Sequence, residues 1–197
     1  MSKRLGAAAL VAGVLAAAGC SPKAPPPSAP TPTINASMTE VMAPNAQTIW
    51  DTTTRAFNDK GDGLDAAKLT DKDWAQLEQA AKAMSAQASV LAQAEHLTVV
   101  GPGEHIMGED ASHEGVKKTW DAASPTQVQA LIDGDRAHFA ERARNLANSM
   151  DRLAKAAGAR DVGTVYQVSS NLDEDCDSCH QPFWGTDEPP PPGGAAH

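Results

Sequence analysis

Between residues 35 and 186 apolar side chains recur every three or four positions in four separate stretches, and nowhere do β-branched and polar residues alternate for long enough to make a strand. That periodicity restricts the chain to an all-α fold in which four helices bury one stripe each. The first stretch carries Met38, Val41, Met42, Ala46, Ile49, Trp50, Thr53 and Phe57; Pro44 is expected to kink it or mark its first turn, and residues 58–63 to close it. The second is expected to open at Thr70 or Asp71 and to run through Trp74, Leu77, Ala81, Met84, Ala88, Leu91 and Thr98 to a stop near Gly101. Residues 101–123 then read as a long crossover loop, whose length predicts a parallel or diagonal connection. Ser124 and Pro125 suit the N-cap and first position of a third helix. That helix keeps Val128, Leu131, Ile132, Phe139, Arg142, Leu146, Met150 and Leu153 at helical spacing up to Gly158, with Gly134 a weak point in its middle. Asp161 caps a fourth, in which Val162, Val165, Tyr166, Ser169, Leu172, Cys176, Cys179 and His180 share a face and which Pro182 ends.

Outside that body the composition changes. Residues 1–19 join Lys3 and Arg4 to an uncharged apolar run ending in small residues, the form of a secretory signal. Cys20 follows directly, in the place of the acylated cysteine of a bacterial lipoprotein, although Ala17 stands where a leucine is usual. An ordinary signal-peptidase site in the same Ala-rich stretch is the rival reading; lipidation at Cys20 is preferred, which puts the protein in the periplasm on a lipid anchor. Six prolines between Ser21 and Thr33 make residues 20–34 a stiff tether, and the Pro- and Gly-rich residues 187–197 read as a disordered tail. No apolar run reaches the roughly 18–20 residues of a membrane-crossing helix, so a membrane is met only through the lipid. With residues 1–19 removed, 14 basic residues remain against 25 acidic, a net charge of −11 opposite in sign to what a nucleic-acid binder needs.

The chemistry sits on the fourth helix. Cys176-Asp177-Ser178-Cys179-His180 is a CxxCH, the attachment sequence of a c-type haem. Positions i, i+3 and i+4 project from one side of a helix, so two thiols reach the two vinyl groups of one porphyrin while the imidazole bonds the iron. A thioredoxin-like pair needs a βαβ context that is missing. A structural zinc needs a second ligand pair that Cys20 alone does not supply. Both remaining cysteines are used by the motif, and export places them where such haems are attached.

A four-helix chain with a single CxxCH near its C-terminus resembles the class II cytochromes c, the cytochrome c′ and c-556 family. Met38-Thr39-Glu40-Val41-Met42 and Ala46-Gln47-Thr48-Ile49-Trp50 on the first helix add to the likeness. The resemblance implies an antiparallel four-helix bundle, commonly dimeric, holding one covalent haem c between its last and first helices. Many members carry a basic residue shortly after the haem histidine, where this chain has Pro182, Phe183 and Trp184. In six-coordinate members a methionine of the first helix closes the iron opposite the histidine; in gas-binding members an apolar side chain leaves that position open. By the family pattern Met38 is the first candidate and Met42, one turn on, the alternative; filling irregular core space is an equal reading of either.

Two functions follow as expectations. The first is an exported carrier of single electrons, with His180 and Met38 as axial ligands and no substrate transformed. Its acidic surface suits a redox partner with a basic one. The alternative is a five-coordinate haem protein that binds NO or CO. A peroxidase reading lacks a distal His and Arg pair placed for O–O cleavage. His96 and His138, each on a predicted helix, are weak candidates for a second axial histidine. Glu104, His105, Glu109, Asp110, His113 and Glu114 in the crossover loop are better explained by loop solubility than by a metal. Residues 58–63 are a turn rather than a calcium loop, with Lys60 and Leu69 at ligand positions.

Overall fold

The structure, a computed structural model, describes residues 31–106 and 124–184, all within a compact unit that begins at Thr31. The signal segment 1–19, Cys20, most of the tether, the loop residues Glu109, Asp110, His113 and Glu114, and the tail 187–197 lie outside the described residues. The described residues form a helical bundle with no strand; Phe57 and Leu64 make one isolated bridge across the 58–63 turn.

The first helix runs from residue 34 to residue 55 in three parts: α1 (Ile34–Ala36), a π-helical segment (Ser37–Met42) and α2 (Ala43–Arg55). Thr33 caps it, its hydroxyl accepting from the Ala36 N–H at 3.0 Å. Pro44, in the first turn of α2, has no N–H to give and its ring crowds the carbonyl four residues back. The preceding turn therefore widens, and the Ala43 N–H bonds the Met38 carbonyl five residues back. The 58–63 turn is held by the Asn58 side chain, whose oxygen accepts from the N–H groups of Lys60 and Asp62, with Gly61 at φ 74°.

Helix α3 (Asp71–Gln93) opens with a reciprocal cap: Thr70 Oγ1 accepts from the Asp73 N–H, and Asp73 Oδ2 accepts from the Thr70 N–H at 2.9 Å. The Thr70 hydrogen bonds, and then Arg55, hold the Asp73 carboxyl below its ordinary pKa. A depressed carboxylate stabilises the fold above its ordinary pKa and stops doing so as pH falls through the lowered value. Thr70→Ala is therefore expected to cost about 1 kcal/mol at pH 7. In chemical denaturation the gap from wild type should narrow in acid.

The chain leaves α3 at Gln93, earlier than its spacing predicts, because Ala94 turns extended. Thr98 lies outside the helix, and so does His96, which is exposed. This stretch is used otherwise: the Thr98 and Val99 carbonyls accept from the N–H groups of Ile34 and Asn35, which the first turn of a helix leaves without partners. The expected third helix is two, α4 (Pro125–Gly134) and α5 (Arg136–Ala159), broken at Asp135, whose side chain caps α5 through the His138 N–H. The expected N-cap at Ser124 is present, with Gln127 returning a hydrogen bond to its N–H. Helix α5 passes Gly158, beside the Glu78 side chain of α3, and ends at Arg160 in the left-handed region, φ 56°. Asp161 caps the fourth stretch as expected, but that too is two helices, α6 (Val162–Ser170) and α7 (Leu172–Phe183), meeting at Asn171.

Helices α3 and α5 form the main interface, with α2 on α3 and α6 and α7 on α5. Arg160 pairs with Asp71, Ser85 with Asp151, and Arg136 with Leu91, so numbers rise along α3 as they fall along α5. Helices α3 and α5 therefore run in opposite directions, not parallel, and the path of crossover residues 107–123 lies outside the described residues. Ile49, Leu77, Met84, Leu91, Ile132, Met150, Leu153, Val165 and Leu172 are fully buried. Each such side chain contributes roughly 1.5–3 kcal/mol on removal from water.

Candidate functional site

Helix α7 carries the CxxCH and is pinned at both ends, by buried Leu172 in its first turn and buried Phe183 in its last. Asp173, Glu174 and Asp175 in the first turn complement the positive end of the helix dipole. Pro182 does not end the helix, which continues one residue further; the missing N–H falls in the last turn, and the Trp184 N–H closes on the His180 carbonyl at 2.7 Å.

Between those pins Cys176, Cys179 and His180 are each half-buried, and both cysteines lie against the margin of the core cluster, as do Met38 and Trp184. The two thiols are free. Burial, with the carboxylates of Asp173, Asp175 and Asp177 added at Cys176, pushes each thiol up to about 11. A redox-active CxxC lowers its thiol instead, so this pair is not set up for disulfide exchange. Burial also lowers the His180 imidazole, against the pull of Asp177, which leaves the ring neutral with a lone pair to give. The His180 and Trp184 rings stand edge to face with centroids 5.1 Å apart.

Helix α5 supplies neighbours that sequence spacing alone does not reveal. Phe183 packs against Phe139 at 5.3 Å and against His138 at 5.5 Å between ring centroids. Arg142 Nε donates to His138 Nε2 at 2.9 Å, and the Arg142 charge lowers the Cys179 thiol against the effect of burial. A His and Arg pair therefore stands on α5 beside the motif helix. Its hydrogen bond occupies His138 Nε2. An arginine four residues after a histidine on an otherwise apolar stripe was the available signal.

Arg136 stands at the start of the same helix. Its guanidinium lies 5.4 Å from the Phe139 ring centroid, and Nη2 donates to the Leu91 and Ala94 carbonyls at 2.8 and 2.6 Å, closing the C-terminus of α3. Nε and Nη1 are buried with no hydrogen-bond partner among the described residues, and burial pulls the group below the ordinary arginine pKa. Donors left this way cost about 1–3 kcal/mol each until an acceptor reaches them.

The first-helix methionines differ in setting. Met42 is buried at 6% exposure, while Met38 is only partly buried. Glu104 is tied into the chain, accepting from the Gly101 N–H and the Thr33 hydroxyl. No group of three or more His, Cys, Asp or Glu side chains is gathered to hold a metal ion among the described residues, and none of their helices is long and apolar enough to cross a membrane.

Residues 108–184, which take in α4 to α7 and the CxxCH but neither Met38 nor Met42, match the family described as Cytochrome C'. No curated protein and no solved structure matches the chain.

Proposed function

We propose that this chain, whose residues 108–184 match the family described as Cytochrome C', is a class II cytochrome c: an exported, one-haem c-type cytochrome that carries single electrons, with His180 and Met38 as the residues that would ligate the iron. The observation that carries the reading is the α7 face, where two free, protonated thiols and a neutral imidazole stand at i, i+3 and i+4, half-buried against the core. The donor set suits the group. Cys176 and Cys179 would hold the group by thioether bonds, each S–H adding across a vinyl group, sulfur to one carbon and hydrogen to the other, so that no oxidant would be needed. His180 would give its nitrogen to the iron, and Trp184, edge to face with it, would limit the swing of that ring. Arg136, with two buried donors that lack a partner among the described residues, is suited to a haem carboxylate. When bound, haem c supplies an iron that alternates between Fe(III) and Fe(II).

On this reading the helices form an antiparallel four-helix arrangement, in which a thioether from the first helix and the imidazole from the last would both hold the iron. A soft sulfur ligand raises the reduction potential and keeps small ligands out, which suits a carrier rather than a catalyst. Lipidation at Cys20, a periplasmic location and a redox partner with a basic surface belong to the same proposal. The net charge of −11 beyond residue 19 supports the last of these and makes docking slower at high salt.

The test is the ferric and ferrous absorption spectrum of the holoprotein with and without CO. Wild type is expected to be low-spin, with the weak far-red band of a sulfur–ferric iron bond and no response to CO. Met38→Ala should lose that band and take up CO. Loss of the band in Met42→Ala alone would move the ligand to Met42, and CO uptake by wild type would replace the carrier with a gas-binding protein.

A further inference from the structure

We propose that Pro44 is the residue that positions Met38 for the iron, by holding the turn before it in the π register; this rests on the Met38 ligation reading above. The inward stripe of the first helix runs through the buried residues Ile34, Ser37, Met42, Ala46, Ile49 and Thr53, with Thr52 buried beside the last. Their spacings are three, five, four, three and four, and an α-helix keeps one face inward only with threes and fours. The five falls across the Ser37–Met42 segment, where the Ala43 N–H reaches back to Met38.

Counted back from Met42 in α register, the inward position would be Met38. In the structure it is Ser37, 1% exposed, whose hydroxyl donates to the Thr33 carbonyl at 2.8 Å and accepts from Gln87 Nε2 of α3 at 2.8 Å. Met38 is turned by about one residue, out of the interior and onto the surface of the core, where it is only partly buried. Pro44 enforces this, because an α turn there would aim the Glu40 carbonyl at the proline ring with no N–H to meet it. The side-chain amide of Asn45 supports the widened turn, donating to the Val41 carbonyl at 2.7 Å. The π turn thus divides the two methionines: Met42 packs in the core, and Met38 is left free to serve as ligand.

Pro44→Ala removes the obstacle and adds a good helix former, so it is expected to leave the thermal midpoint unchanged or higher. The α register it permits carries Met38 into the core. The Pro44→Ala holoprotein should then lose the far-red sulfur band and gain CO binding, as Met38→Ala does. A gain in stability together with loss of ligation is not what general damage to the helix produces. If Pro44→Ala keeps the band while Met38→Ala loses it, the positioning role is overturned and the ligand reading stands. If Met38→Ala leaves the spectrum unchanged, the ligand reading falls and Pro44 does not position an axial ligand. In that case the nuclear Overhauser contact between Ser37 and the Gln87 side-chain amide reads the register directly. Its loss in Pro44→Ala keeps Pro44 as the residue that sets the turn, and its persistence removes that role as well.

Discussion

A Cys176→Ala, Cys179→Ala double variant is expected to retain no haem through denaturing electrophoresis, whereas wild type stains for haem at the position of the chain. On the proposed attachment each thiol would supply one thioether, so single variants should keep the group through one bond, with a pyridine haemochrome spectrum displaced toward that of a porphyrin with one unreacted vinyl. The double loss is chemical rather than a failure to fold. Both side chains are small and only half-buried on a helix held by Leu172 and Phe183, and their truncation costs on the order of 1 kcal/mol each. The far-UV circular dichroism of the double variant should therefore stay helical. Its thermal midpoint should fall by more than truncation explains, because a covalently held group that binds only the folded chain stabilises it. Haem staining that survives in the double variant would show attachment elsewhere and remove the motif from the site.

Leu172→Ala is expected to destabilise the fold by about 2–5 kcal/mol, the range for a leucine truncated in a packed core. For a domain of this size that is a drop of roughly 4–20 °C in midpoint. Leu172 is fully buried where α6 ends and α7 begins, so the cavity lies under the first turn of the helix that bears Cys176. Leu131→Ala is the control: at 43% exposure on α4 it should stay within about 0.5 kcal/mol of wild type. Equal midpoints for the two variants would mean that the α6–α7 junction is not packed as described.

What was legible in the sequence divides along physical lines. The caps at Thr70, Ser124 and Asp161 were readable because a cap is local: a short polar side chain reaches an N–H three residues on, whatever surrounds it. The breaks at Asp135 and Asn171 were not, since apolar spacing continues across both. Gly134 was the one visible hint of the first; what closes it is Arg136 reaching carbonyls of α3, a contact some forty residues distant in sequence. The 94–100 stretch looked helical because Thr98 keeps the period, yet its carbonyls are claimed by the start of the first helix. At the site, the CxxCH was plain because its chemistry dictates both residue types and spacing. Met38 and Met42 looked to share one face because counting by fours assumes an unbroken α register. Pro44 marked the place where that assumption fails, but the widened turn it imposes shows only in the backbone.

The pairing of Ile34 and Asn35 with Thr98 and Val99 also decides where mechanical load goes. Any pull on the chain that precedes Thr31 arrives at Thr33 and passes at once into these two bonds. From Val99 it is shared with Gln129 of α4, which accepts from the Val99 N–H and donates to the Leu97 carbonyl, both at 3.0 Å. The force is thus divided between α4 and the first helix, which Thr33 enters through its carbonyl's bonds to the Ser37 N–H at 2.9 Å and the Ser37 hydroxyl at 2.8 Å. The widened turn and Met38 therefore carry only the share that the two bonds to Thr98 and Val99 do not take.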